Sequence, residues 1–258
     1  MKNRDMPEAG EVFETPEDFW RGIEADVKKK TEQFFAEAPR IVRLAPEQIL
    51  EAKRIFLENE RYFATKVYAA LVDAAATQSE VIALFDVDET IGSPEVYEDR
   101  VETKLRPSLI LVFERIRDAR GKIGFISSRG KEAILTQLQE PHNLEPIAKY
   151  IDKSLVYSSH NEVGDEDSQR FIKVIKKKYV EGGIVNSAIV DSVDPYELPT
   201  TVGDQKKFAV LRNIKTEHSD QSIIVVDDAR YPKFLSRANK LFGVILTHEE
   251  GMFVRPHF

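Results

Sequence analysis

The stretch Ala83-Leu84-Phe85-Asp86-Val87-Asp88-Glu89-Thr90 ends an apolar run with two aspartates one residue apart, then a threonine. A strand buried on both faces has no use for carboxylates in its own fold, so Asp86 and Asp88 imply a cation or a chemical task. Two later apolar runs end similarly: Gly124-Phe125-Ile126 leads into Ser127, Ser128 and Arg129, and Ile223-Ile224-Val225-Val226 leads into Asp227 and Asp228. As strands of one parallel sheet, these runs set all those groups along the carboxyl-end rim, where such sheets bind ligands. Four carboxylates on one rim repel one another unless a hard cation lies between them. Mg2+ held by a few carboxylates, waters and a phosphate is the usual resolution.

Beside such a metal, one aspartate of the first pair can attack phosphorus to form an aspartyl-phosphate. The other, two residues on and on the same side of the strand, can protonate the leaving oxygen and later activate water. A hydroxyl at the second strand end can hold a phosphoryl oxygen, and a lysine early in a later helix can balance the transferring charge. Lys206 and Lys207 follow Gly203-Asp204 and suit that role. Lys206 puts Ala209 and Val210 at +3 and +4, whereas Lys207 puts Leu211 and Ile214 at +4 and +7. Both remain open, with Lys206 ranked first. Taken singly, the other groups have plainer readings. Ser127-Ser128 can cap the helix expected from Lys131; Arg129 either contacts substrate or pairs with a neighbouring carboxylate; Thr90 and Glu89 shape the turn. The histidines at 142, 160, 218, 248 and 257 have no ligand-like spacing.

The elements that must position these groups read as follows. Residues 1–14 are polar and unpatterned, a flexible N-terminus. Thr15-Pro16-Glu17-Asp18 then combines an N-cap, a proline at the first helical position and an acid at the third. Phe19, Trp20, Ile23, Val27, Phe34 and Phe35 recur at helical spacing, and a second helix opens at Pro46, so residues 15–78 are expected to form a helical hairpin, as a lid or an interaction element. From Val81 the chain alternates strands with helices: VIALFD, a helix over RPSLILVFERIRDAR, KIGFIS, a helix from Lys131, KSLVYSS, helices from Ser168 and Asp204, SIIVVDD, a helix from Tyr231, and FGVILT. That grammar predicts an α/β fold with a Rossmann-like, mostly parallel sheet. Residues 182–204 read as a strand plus a long loop near the site.

The ordered set Asp86-Val87-Asp88-Glu89-Thr90, Ile126-Ser127, Lys206 or Lys207, and Asp227-Asp228 resembles the four motifs of the haloacid dehalogenase superfamily. The match covers about residues 80–248 and leaves the N-terminal helices outside a catalytic domain expected over residues 80–258. The resemblance implies Asp86 as nucleophile, Asp88 as general acid/base and Ser127 as a phosphoryl ligand. The lysine would stabilise the phosphoaspartate, and Mg2+ would be held by Asp86, Asp88 through its carbonyl, and Asp227, with Asp228 beside it. Thr90, Ser128 and Arg129 are the expected substrate contacts. An acid at Asp88 favours phosphatases over dehalogenases, which lack one there.

About 38 residues separate Asp88 from Ser127, and a flap over Gly92–Thr103 plus the next helix consume most of them, so no cap domain fits. A minimally capped phosphomonoesterase is the expectation, with a phosphoprotein or nucleic-acid end as the alternative substrate. A binding protein that keeps the fold without turnover is the remaining reading.

Bulk properties agree with an ordinary globular protein: 258 residues, 42% hydrophobic, are enough to bury a sizeable core. A net charge of -7 argues against coating nucleic acid, and Lys173, Lys176, Lys177 and Lys178 read as a solvated helix face. With no cysteine, thiolate chemistry and disulfides are excluded. The first twenty residues lack a signal peptide's apolar segment, and no stretch matches a membrane span, so a cytoplasmic protein with no membrane partner is expected. The apolar faces of the N-terminal helices leave an oligomer interface open.

Overall fold

A computed structural model describes residues 14–37, 46–76, 80–88, 90–96, 101–127, 129–158, 207, 210, 211, 213, 214 and 216–227. The expected elements over 159–204, the helix from Tyr231 and the strand FGVILT lie outside the described residues, as do the Lys173–Lys178 cluster and residues 1–13. Two long helices come first, α1 (Pro16–Glu37) and α2 (Pro46–Ala75). The expected cap forms: the Thr15 hydroxyl accepts the Asp18 N–H at 3.1 Å and donates to the Asp18 carboxylate at 2.7 Å.

Strand β1 (Val81–Phe85) follows, then the flap hairpin β2 (Gly92–Val96) and β3 (Val101–Leu105), helix α3 (Leu109–Asp118) and strand β4 (Lys122–Ser127). Helix α4 (Lys131–Gln137), a 3-10 helix (Glu145–Tyr150) and strands β5 (Ile151–Ser158) and β6 (Ser222–Val226) complete the described elements. The described residues among 207–217 are helical.

The described sheet is parallel throughout, in the order β5-β4-β1-β6, so the fold is α/β. Strand alternation divides its side chains between two cores. Val81, Ala83 and Phe85 of β1 join Ile123, Phe125, Ile224 and Val226 on one face, while Ile82 and Leu84 join Ile126, Ile223 and Val225 on the other. Val210, Leu211 and Ile214 cover that second face.

The first face is covered by α3 and by the N-terminal helices. Phe19, Trp20, Val27, Phe63, Val67 and Leu71 share one continuous core with Phe85, Phe113 and Phe125. The aromatic positions of α1 and α2 thus pack within the chain, as their spacing suggests. Gly124 allows β5 close to β4, because a Cβ there would collide with the backbone of Leu155 at the point where the ladder shifts register. Among the described residues no helix is long and apolar enough to cross a membrane.

Candidate functional site

The sheet register alone brings the first and last motifs together. Phe85 pairs with Val226, and the Asp86 N–H donates to the Val226 carbonyl at 2.8 Å, so Asp86 and Asp227 leave adjacent strands at the same level. Both are buried. The Lys207 ammonium fills the space between them, 3.0 Å from Asp86 Oδ1 and 2.9 Å from Asp227 Oδ2. Val210, Leu211 and Ile214, at the third, fourth and seventh positions after Lys207, anchor its helix in the second core and so fix where that ammonium sits.

Burial alone would push the Lys207 ammonium towards neutrality. The Asp227 and Asp86 carboxylates outweigh that penalty and hold its pKa above the ordinary lysine value of 10.5. The stability gained from a raised lysine pKa is complete below the unfolded value and is lost only as pH rises through the folded one. Lys207 is therefore a fixed cation at every pH at which the fold persists near neutrality. Of the two lysine candidates Lys207 stands between the aspartates; Lys206 lies outside the described residues.

At the neighbouring strand end Ser127 is fully buried, and its Oγ accepts the Arg129 N–H at 3.2 Å, a local turn contact. It is not used to cap α4, whose N-cap is Gly130 with no side-chain cap. Ser158, paired in register with Ser127, adds a second hydroxyl-bearing residue at this rim; its strand was legible in the sequence but its place was not. Asp88 is partly exposed and held by a two-pronged contact from Arg129, whose Nε lies 2.8 Å from Asp88 Oδ2 and whose Nη2 contacts Oδ1. Gln137 Oε1 braces the same guanidinium at 2.6 Å. Arg129 thus makes the carboxylate pairing that one of its two sequence readings expects. Thr90 is buried, its hydroxyl without a partner among the described residues and its carbonyl facing Arg106. Ser128 and Asp228 lie outside the described residues.

Whether these groups suit Mg2+ can be judged from their atoms. Asp227 Oδ1 is buried with no hydrogen-bond partner among the described residues, and one ammonium balances only one of the two carboxylates beside it. An unpaired carboxylate oxygen beside a pair of aspartates that carries one more negative charge than the ammonium balances suits a hard cation. Among the described residues no cluster of three or more acidic or histidine side chains gathers as a metal site, so any cation here draws on Asp86 and Asp227, backbone carbonyls and waters.

Two residues outside the expected site reach it. Glu60 of α2 and Arg106, at the junction of β3 and α3, form a fully buried ion pair at 2.8 Å, and Arg106 also holds the Thr90 carbonyl. In the sequence Arg106 stands only as the first residue of the expected helix stretch RPSLILVFERIRDAR. Glu60 gave one signal, a carboxylate four residues after Phe56 and three before Phe63 on the apolar face of α2. Comparison with protein-family models, with curated proteins and with solved structures finds no match to this chain.

Proposed function

We propose that this protein is a Mg2+-dependent phosphomonoester hydrolase that works through phosphorylation of Asp86, on a Rossmann-like fold of the haloacid dehalogenase kind. The observation that carries the reading is the buried Asp86–Lys207–Asp227 bridge at adjacent ends of parallel strands. Such a bridge holds one oxygen of each carboxylate in place, neutralises half the charge of the pair and leaves Asp227 Oδ1 without a partner among the described residues.

Asp86, Asp227 and the Asp88 carbonyl would hold the metal, with Asp228 in reach by sequence. Bound there, Mg2+ would neutralise phosphoryl charge and orient the group for in-line attack. Asp86 supplies the oxygen that bonds to phosphorus as the ester oxygen departs, and Lys207 faces the charge that builds on the acyl phosphate. Asp88 gives its proton to the leaving oxygen and then takes one from the water that cleaves the phosphoaspartate. Ser127 is the nearest hydroxyl-bearing strand end for the phosphoryl oxygens. Arg129 must loosen its hold on Asp88 for that proton transfer, and an arriving phosphate is the anion that competes for it.

The test is hydrolysis of a generic aryl phosphate by the purified full chain, with Mg2+ and with chelator, beside Asp86→Asn. Turnover that needs Mg2+ and disappears in the variant supports the reading. Activity that survives Asp86→Asn in pure protein overturns it.

A further inference from the structure

The loop from Asp86 to Gly92 carries both aspartates of the first motif and turns sharply into the flap. Within it, the described residues show the Ile91 N–H donating to the Val87 carbonyl at 3.3 Å and an isolated bridge between Asp88 and Gly92. Arg106 ties it from outside. The Arg106 Nε donates to the Thr90 carbonyl at 2.6 Å, and the Arg106 backbone N–H donates to the Ile91 carbonyl at 2.9 Å. The guanidinium lies 4.5 Å from the centroid of Phe63, which holds it against α2.

A buried guanidinium needs a partner charge, and Glu60 supplies it. Glu60 Oε1 accepts from Arg106 at 2.8 Å, while Oε2 accepts the Ser108 N–H at 2.9 Å and the Ser108 hydroxyl at 2.6 Å. Both side chains of the ion pair are only 1% exposed. One carboxylate from a helix far back in the chain thus fixes the start of α3, the guanidinium and, through it, the Thr90 carbonyl of the loop, while the Arg106 backbone holds the Ile91 carbonyl.

We infer that Glu60 is a positioning residue for the candidate site: acting through Arg106, it sets the loop that presents Asp88. The N-terminal helices are then a working part of the site. The inference rests on the reading of Asp86 and Asp88 as the reacting pair.

A double variant, Glu60→Met with Arg106→Met, separates positioning from simple stabilisation, because an apolar pair can replace a buried ion pair without loss of stability. Single variants Glu60→Gln and Arg106→Lys accompany it. The expected result is a double variant with near wild-type melting, faster amide exchange confined to residues 86–92, and kcat reduced roughly 10- to 100-fold with KM within about threefold. Wild-type kcat in the double variant, or unchanged protection of residues 86–92, overturns the inference. Should the double variant melt early, the exchange pattern of Arg106→Lys decides by the same criterion. A wild-type chain without Asp86-dependent hydrolysis counts against the proposed function and the role of Glu60 in it. A loop clamp seen by exchange alone would then be purely structural.

Discussion

Two buried charge clusters among the described residues differ in how completely they are satisfied. Around Glu60, both carboxylate oxygens have donors: Arg106 on one, the Ser108 amide and hydroxyl on the other. Around Lys207, one ammonium serves two carboxylates, and Asp227 Oδ1 has no partner among the described residues. A closed network stiffens a fold, whereas an open one has capacity left for a ligand. The contrast separates a joint from a site more clearly than burial or charge does, since both clusters are buried and charged.

Substitutions can break that contrast. The largest effect is expected from Asp86→Asn, which should reduce turnover at least ~10^4-fold while moving Tm by no more than about 4 °C, read by aryl phosphate hydrolysis and a melting curve. Glu60→Ala should weigh most on the fold: stability falls by about 3–5 kcal/mol in urea titration, because the Arg106 charge is left buried without its partner. Lys207→Met sharpens the comparison further. It leaves Asp86 and Asp227 facing each other, so Mg2+ should raise its Tm by more than it raises that of the wild-type chain, the cation taking over the ammonium's place.

Smaller effects follow at the surface of the site. Arg129→Ala removes a partly exposed pair, so stability should change by less than about 1 kcal/mol, while KM for the aryl phosphate rises about tenfold through loss of an anion contact. Glu51→Ala removes an exposed partner of Arg54 and should leave both Tm and turnover unchanged, which calibrates the other variants.

The rim was legible because its signal is local. Strands β1, β4 and β6 are apolar on both faces and then stop at acids or hydroxyls, a pattern that only a buried parallel strand with a polar end explains. The choice between Lys206 and Lys207 was not legible. Adjacent helical residues point about 100° apart, and which one meets the rim depends on how the helix packs on β1 and β6. The clamp through Glu60 was harder still, since its partners lie 46 and 48 residues away, and long-range pairing leaves no periodicity in the chain. The short length of α4 and the 3-10 helix after it also escaped the sequence pattern. Pro141 has no N–H to bond back to the Gln137 carbonyl where α4 ends, and Pro146 sits in the first turn of the 3-10 helix, where no N–H is required.

The central claim is that Asp86 carries the phosphoryl group. The direct test is to mix Asp88→Asn, in which hydrolysis of the intermediate is slowed, with Mg2+ and an aryl phosphate, quench in acid, and map the product by mass spectrometry. The account predicts one added phosphoryl group on the peptide containing Asp86, absent from the Asp86→Asn, Asp88→Asn double variant. Phosphate release with no covalent adduct at Asp86, or an adduct on any other residue, would contradict it.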